Sequence, residues 1–470
     1  MIMKRIEFLI LLSVIVFLMP ACSGEKAGDG VVLRVCNWEE YIDEGDWDGD
    51  ELIELDNGSR ILGVKPEYEE FEDWYYKKYG VKVKVEYSCF GTNEDLYNQL
   101  TIGDKFDLVC PSDYMIMKLM AEDKLTPFSD DFFDKDNKDN YYTRGVSPYI
   151  KKIFDNNRIN GEAWSKYSAG YMWGTTGVVY NPEYVTREQA SNWDILRDPE
   201  FYRRITIKDN VRDSYFAALA ISKRDKLLSE NFINSDDYEE KLALEMNDTS
   251  DEEIKSVEKI LRQFRENAYS LETDSGKADM VTGKVLANYQ WSGDGVYTIE
   301  QAAEDGVELY YEVPRECGNL WFDGWVMLKE GINEDARRQH AAEAFINYLS
   351  IPENAVRNMY YIGYTSVIAG CEDSTMYDYA NWYYGADDDA EETIDYDISY
   401  FFEGEENAGG EYIVTAEQGQ EYGALGAQYP TLDVIRRCAV MNYFDDETNE
   451  KINQMWIDVR CFNLSDLLKN

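Results

Sequence analysis

Four separated segments set a tryptophan or tyrosine beside a carboxylate, each just after a strand-like run: Asn37-Trp-Glu-Glu-Tyr41, Pro111-Ser-Asp-Tyr114, Trp291-Ser-Gly-Asp294 and Leu320-Trp-Phe-Asp323. An aromatic face attracts an organic cation, and a neighbouring carboxylate neutralises it through charge-assisted hydrogen bonds. One such pair is ordinary, because aromatics dominate any core. Four of them at strand ends, where open α/β sheets gather ligand contacts, point to a cleft for a cationic ligand.

The elements that must carry these residues alternate along the chain. Apolar strand candidates are Val31–Val35, Val81–Tyr87, Phe106–Cys110, Ile205–Lys208, Val285–Tyr289 and the run from Trp321 to Leu328. Helical patterns lie between them, so the fold class is α/β with sheets covered on both faces. Ser250-Asp-Glu-Glu253 has the form of a capping box, with Ile254, Val257, Ile260, Leu261 and Phe264 on one helical face behind it. Pro352 and Gly363 bracket a further helix over Glu353–Tyr361. Two acidic stretches, Asp43–Asp56 and Gly385–Gly410, lack the periodicity of a core element and read as surface insertions.

Composition excludes several chemistries. The 470 residues include 92 Asp and Glu against 46 Lys and Arg, a formal charge of -46, which repels phosphate backbones and excludes nucleic acid as a partner. The single histidine, His340, cannot build a poly-histidine metal centre. Asp46, Asp48 and Asp50 open like a calcium loop, but Glu51 stands where that loop requires glycine. No phosphate-binding glycine loop occurs, and no cofactor is expected. Cys36, Cys89 and Cys110 lie in apolar runs and read as small buried hydrophobes.

At the N-terminus, Lys4 and Arg5 precede an apolar run from Phe8 to Ala21, the layout of an export signal that is too short to span a bilayer. The run ends in Leu18-Met-Pro-Ala-Cys22, which resembles the lipobox of bacterial lipoproteins. That resemblance implies a signal peptide over 1–21, acylation of Cys22 and membrane attachment through it. Residues 22–30 then form a flexible tether.

Between Val31 and about Tyr364 the chain resembles the spermidine/putrescine-binding proteins of polyamine ABC importers. The resemblance rests on the order and spacing of Val35-Cys-Asn-Trp-Glu-Glu-Tyr41, Thr92-Asn-Glu94, Phe106-Asp-Leu-Val-Cys-Pro-Ser-Asp-Tyr114, Tyr171-Met-Trp-Gly-Thr-Thr-Gly177, Asp209-Asn-Val-Arg-Asp213, Trp291-Ser-Gly-Asp294, Trp321-Phe-Asp323 and Ile362-Gly-Tyr364. It implies a two-lobe periplasmic-binding-protein fold of type II, with crossing hinge strands near Tyr171 and near Trp321 to Asp323. Lobe one is expected to comprise 31–171 with 322–375, and lobe two 172–321 with 376–470. Carried over by position, Trp38, Tyr41, Tyr114, Trp291, Trp321 and Tyr364 wall the cleft. Glu40, Asp213 and Asp323 pair with ligand ammonium groups, Asp294 adds a carboxylate near one end, and Ser112 and Thr273 supply hydrogen bonds. Asn210 and Asp213 depart from the aspartate and glutamate of the family's spermidine binders, which leaves the choice between spermidine and putrescine open.

The implied role is transport and not catalysis. A monomeric, exported, lipid-anchored protein closes on a polyamine and presents it to the permease subunits in the membrane. A sugar or ferric-iron binder of the same fold is the nearer alternative, the latter because the chain holds 37 tyrosines. An exported glycoside hydrolase, which also sets carboxylates beside aromatics, is the more distant one.

Overall fold

The computed structural model describes residues 30–272, 275–387, 389–405 and 410–461. Eight strands follow one path through the main sheet: β1 (Val31–Trp38), β2 (Val83–Phe90), β3 (Leu108–Val109), β4 (Ser168–Tyr180), β5 (Ile205–Lys208), β6 (Ser270–Glu272), β7 (Ala287–Trp291) and β8 (Gly318–Leu328). Their spatial order is β6-β5-β7-β4-β8-β3-β1-β2. On one flank β1 pairs in parallel with β2 and β3; on the other β5 pairs in parallel with β6 and β7. Such parallel strands read as short apolar runs because they are covered on both faces.

The two long central strands join the flanks. All thirteen residues of β4 and all eleven of β8 are buried, and they pair antiparallel, with Trp321 opposite Gly174 and Asp323 opposite Met172. The next pair is Gly324 with Gly170, so the register shifts and Tyr171 is left over. A bulge of this kind kinks the ladder and re-aims the neighbouring side chains, here those of Asp323 and Tyr171.

The helices that position the site begin at strand ends: α2 (Asn93–Ile102) after β2, α3 (Asp113–Ala121) after β3, α4 (Val211–Leu227) after β5 and α6 (Ser292–Glu304) after β7; α1 (Glu67–Tyr79), α5 (Asp251–Asn267) and α7 (Pro352–Ile362) support the layers. Ser250 caps α5 by accepting from the Glu253 amide, and Ile254, Val257, Ile260, Leu261 and Phe264 form its buried face. Pro352 starts α7 and Gly363, at φ +82°, ends it in the left-handed conformation that glycine adopts without strain. Buried residues of 376–435, such as Tyr396 and Leu425, share an apolar cluster with Val31, whereas Met441, Ile452 and Trp456 join the cluster around Phe216 and Leu261.

Three sequence expectations are corrected. Asp43–Asp56 is not a surface insertion: Trp47, Ile53 and Leu55 are buried, and the fully buried Asp43 accepts from Arg357 Nε at 2.6 Å and from the Trp47 indole at 3.0 Å. Its acidity escaped a core assignment because its partner lies about three hundred residues away. In Gly385–Gly410, the strand Thr393–Asp397 pairs antiparallel with Ile413–Glu417. Tyr400 and Phe401, which follow, are buried, and Phe401 stacks on Trp173 of β4 at 6.0 Å. Cys36 and Cys110 are buried, but Cys89 is exposed, because β2 is the edge strand of the path.

Arg357 makes a compact electrostatic joint. Its Nη1 donates to Glu70 at 2.7 Å while Nε holds Asp43, and the neighbouring Asn358 donates to the buried Glu67 at 2.6 Å. Removing one partner of a buried ion pair leaves its counterpart uncompensated, at a cost of about 3–5 kcal/mol. Arg357→Met is therefore expected to lower unfolding stability by about that amount in urea denaturation, and an unchanged midpoint would contradict the assignment.

Candidate functional site

The bulge between β4 and β8 sets Asp323 among hydroxyls, with no charged partner among the described residues. The residue is 6% exposed. Tyr41 donates to its Oδ2 at 2.7 Å, and Ser112 faces it across an isolated antiparallel bridge. Its Oδ1 makes no hydrogen bond, and among the described residues no lysine or arginine pairs with it. Burial pushes its pKa up to about 6, against the opposing pull of the Ser112 and Tyr41 hydroxyls. Asp113, at the first position of α3, is also buried and accepts from the amides of Tyr114 at 2.6 Å and Phe322 at 3.1 Å. Burial, reinforced by the charge of Asp323, raises it to about 8 against those amides, so it is mostly neutral at pH 7.

Aromatic rings continue from Asp323. Tyr41 meets Tyr364 edge-on at 5.6 Å, and Tyr364 meets Trp321 at 5.4 Å. Trp321 donates its indole N–H to the Thr175 carbonyl at 3.2 Å. Two glycines make room: a Cβ on Gly174 would lie 2.6 Å from the Trp321 ring, and one on Gly293 would lie 2.2 Å from the Tyr364 ring. Gly293 sits between Trp291 and Asp294, so Tyr364 links the Asp323 end to the start of α6. Asn93 orients the facing loop, donating to the hydroxyls of Ser112 at 3.1 Å and Tyr114 at 2.9 Å and accepting from the Ser112 amide at 3.1 Å.

Cations are concentrated at the other end. Lys208, the last residue of β5, stands 3.6 Å over the Trp291 ring and 3.3 Å from Asp294 Oδ2, while Lys277 takes Asp294 Oδ1 at 3.3 Å. The two ammonium groups hold Asp294 below the usual carboxylate range although burial opposes them. Asp213 behaves differently: burial pushes it up to about 6, and the Lys208 charge and the Trp291 indole only partly offset this. Arg212, on α4, lies 4.4 Å over the Tyr114 ring of α3 and 3.6 Å over Phe444, and donates to the Asn442 carbonyl.

Tyr41, Ser112, Tyr114, Trp321, Asp323 and Tyr364 thus form one continuous set, and Asp213, Trp291 and Asp294 a second. Five sequence assignments stand apart from these two sets. Glu40 is exposed on a turn at φ +54°, unlike the buried aspartates. The side chain of Asn210 caps α4, accepting from the amides of Arg212 at 2.8 Å and Asp213 at 3.3 Å, so its acceptor oxygen is already used. Trp38 is half-buried against Phe90 at 4.7 Å. Thr273 and Cys22 lie outside the described residues. Sequence reasoning missed Asn93, Lys208 and Arg212. A lysine closing an apolar strand was the available signal for Lys208.

The family model described as bacterial extracellular solute-binding protein matches residues 68–382. Spermidine/putrescine-binding periplasmic protein 1 of Haemophilus influenzae is 25% identical over 296 residues, covering 62% of this chain and 70% of its own. Putrescine-binding periplasmic protein PotF of Escherichia coli is 23% identical over 349 residues, 72% of this chain and 78% of its own. Among solved structures, the spermidine/putrescine substrate-binding protein PotD of Streptococcus pneumoniae superposes with a TM-score of 0.57 at 21% identity, covering 92% of this chain and 99% of that one. The TpPotD lipoprotein of Treponema pallidum gives 0.58 at 16% identity, covering 91% and 99%. These superpositions establish the two-lobe periplasmic-binding-protein fold.

The raised pKa of Asp323 carries a stability consequence. Between the ordinary aspartate value of about 3.9 and its folded value of about 6 the native state holds more protons than the unfolded chain. The stability this proton contributes is complete below about pH 4 and is lost as pH rises through about 6. Asp323→Asn is therefore expected to raise the melting temperature of the ligand-free protein at about pH 7.5, with the gain fading below about pH 4. A gain that persists undiminished in acid, or a loss at neutral pH, would contradict the pKa assignment.

Proposed function

The chain belongs to the bacterial extracellular solute-binding protein family, and we propose that it is the polyamine-binding component of an ABC importer. Relatives whose names specify spermidine and putrescine support the ligand class. The observation that carries the reading is Asp323, a buried carboxylate ringed by Tyr41, Trp321 and Tyr364 and lacking a cationic partner among the described residues.

A primary ammonium, with a pKa near the 10.4 of lysine, is charged at neutral pH. On binding, it donates to Asp323, lowers that group's pKa and ends the cost of burying an unpaired charge. The rings pack the methylene chain and exclude water, which strengthens the pairing. Closure of the lobes, with Arg212 of α4 already over the Tyr114 ring of α3, then buries the ligand and forms the surface offered to the permease. No bond is made or broken. The protein acts as a monomer outside the cytoplasmic membrane, held there by the lipid on Cys22.

Asp323→Ala and Trp291→Ala are each expected to weaken polyamine binding more than tenfold in calorimetry, with thermal melts showing folded protein, and 1,4-butanediol is expected not to bind. Wild-type affinity in both variants, or diol binding comparable to that of the diamine, would overturn the reading.

A further inference from the structure

We propose that Lys208 is a built-in ammonium that fills one of three carboxylate seats in the cleft and so sets the preferred ligand class to diamines over triamines. The inference rests on the polyamine reading and asks how many ammonium groups the site can pair. Asp113 is not a seat, since backbone amides occupy both of its oxygens. That leaves three buried carboxylates, Asp323, Asp213 and Asp294; Glu94, which accepts from the Tyr114 hydroxyl at 3.3 Å, is only half-buried and is not counted as a seat.

The Asp294 seat is taken. An aromatic face beside a carboxylate is the arrangement that receives an organic ammonium, and Lys208 Nζ sits in it, 3.6 Å over Trp291 and 3.3 Å from Asp294 Oδ2. Lys277 takes the remaining oxygen at 3.3 Å. A ligand ammonium arriving there would be the third cation at one carboxylate. Lys208 is also 1% exposed at the end of a fully buried strand, so its ammonium does not vacate the seat into water.

Asp213 and Asp323 differ from Asp294 in that, among the described residues, neither forms an ion pair with a lysine or arginine, although the charges of Lys208 and Arg212 act on Asp213 from beyond ion-pair distance. Two seats suit the two ends of a diamine. The additional ammonium of a triamine would lie beside Lys208 or be buried without a counter-charge, and either arrangement is unfavourable. Discrimination then comes from a repulsive element built against the longer ligand as well as from attraction to the shorter one.

The test is calorimetry of wild type, Lys208→Met and Lys208→Gln with putrescine and with spermidine, at one pH and salt concentration, alongside thermal melts. Wild type is expected to bind putrescine at least tenfold more tightly than spermidine. Either Lys208 variant is expected to cut that ratio at least tenfold through a gain in spermidine affinity. A wild type that binds spermidine as tightly as putrescine, or variants that leave the ratio unchanged, would overturn the inference while leaving the polyamine reading intact. If one variant does not fold, the other and the wild-type ratio decide. Binding of neither amine by wild type would overturn the polyamine reading and this inference with it.

Discussion

An anionic carboxylate enclosed by protein and unmatched by any cation is unstable by itself, and among the described residues Asp323 is held in that condition by the two central strands. The bulge between β4 and β8 places it at the junction of the flanks, where Tyr41 and Ser112 provide hydroxyls. Burial displaces its pKa upward, and these hydroxyls offset that less than an ammonium would. A site of this kind gains more from a cation than a solvated carboxylate does, because the desolvation cost is already built into the fold. The two glycines that admit Trp321 and Tyr364 serve the same end, surrounding the charge with ring surface in place of water.

The remaining charges follow from the same constraint. A protein with 92 acidic residues has no shortage of carboxylates, but most of them can be solvated, and those that are buried need compensation. Asp43 finds it in Arg357, Asp107 in Arg34 and Asp294 in two lysines. Among the described residues, Asp323 and Asp213 form no such pair, and their pKa values are displaced to about 6 in both cases. Among the three cleft carboxylates, internal pairing sets Asp294 apart from Asp323 and Asp213, a difference that residue type alone does not reveal.

That division explains how far the sequence was legible. Strand positions such as Ile205–Lys208 and the helix behind Ser250 were readable because periodicity and capping are local. The aromatic and carboxylate segments were readable because each sits at a strand end. Compensation was not readable, since it depends on contacts between distant positions: Asp43 with Arg357, Asp294 with Lys208, Tyr114 with Arg212. The motif marks Asn210 as a ligand position, but only the fold shows that its side-chain oxygen caps α4. The acidic segment after Gly385 concealed buried aromatics because its exposed residues dominate the composition.

The central claim is that a ligand ammonium becomes the missing counter-charge of Asp323. The most direct measurement is the pKa of that carboxyl by carbon-13 NMR, with side-chain-labelled aspartate assigned through Asp323→Asn, in the absence and presence of saturating putrescine. The account predicts a value near 6 in the free protein and a fall below about 4 on binding. An Asp323 signal that titrates near 6 in both states, with putrescine bound, would contradict it.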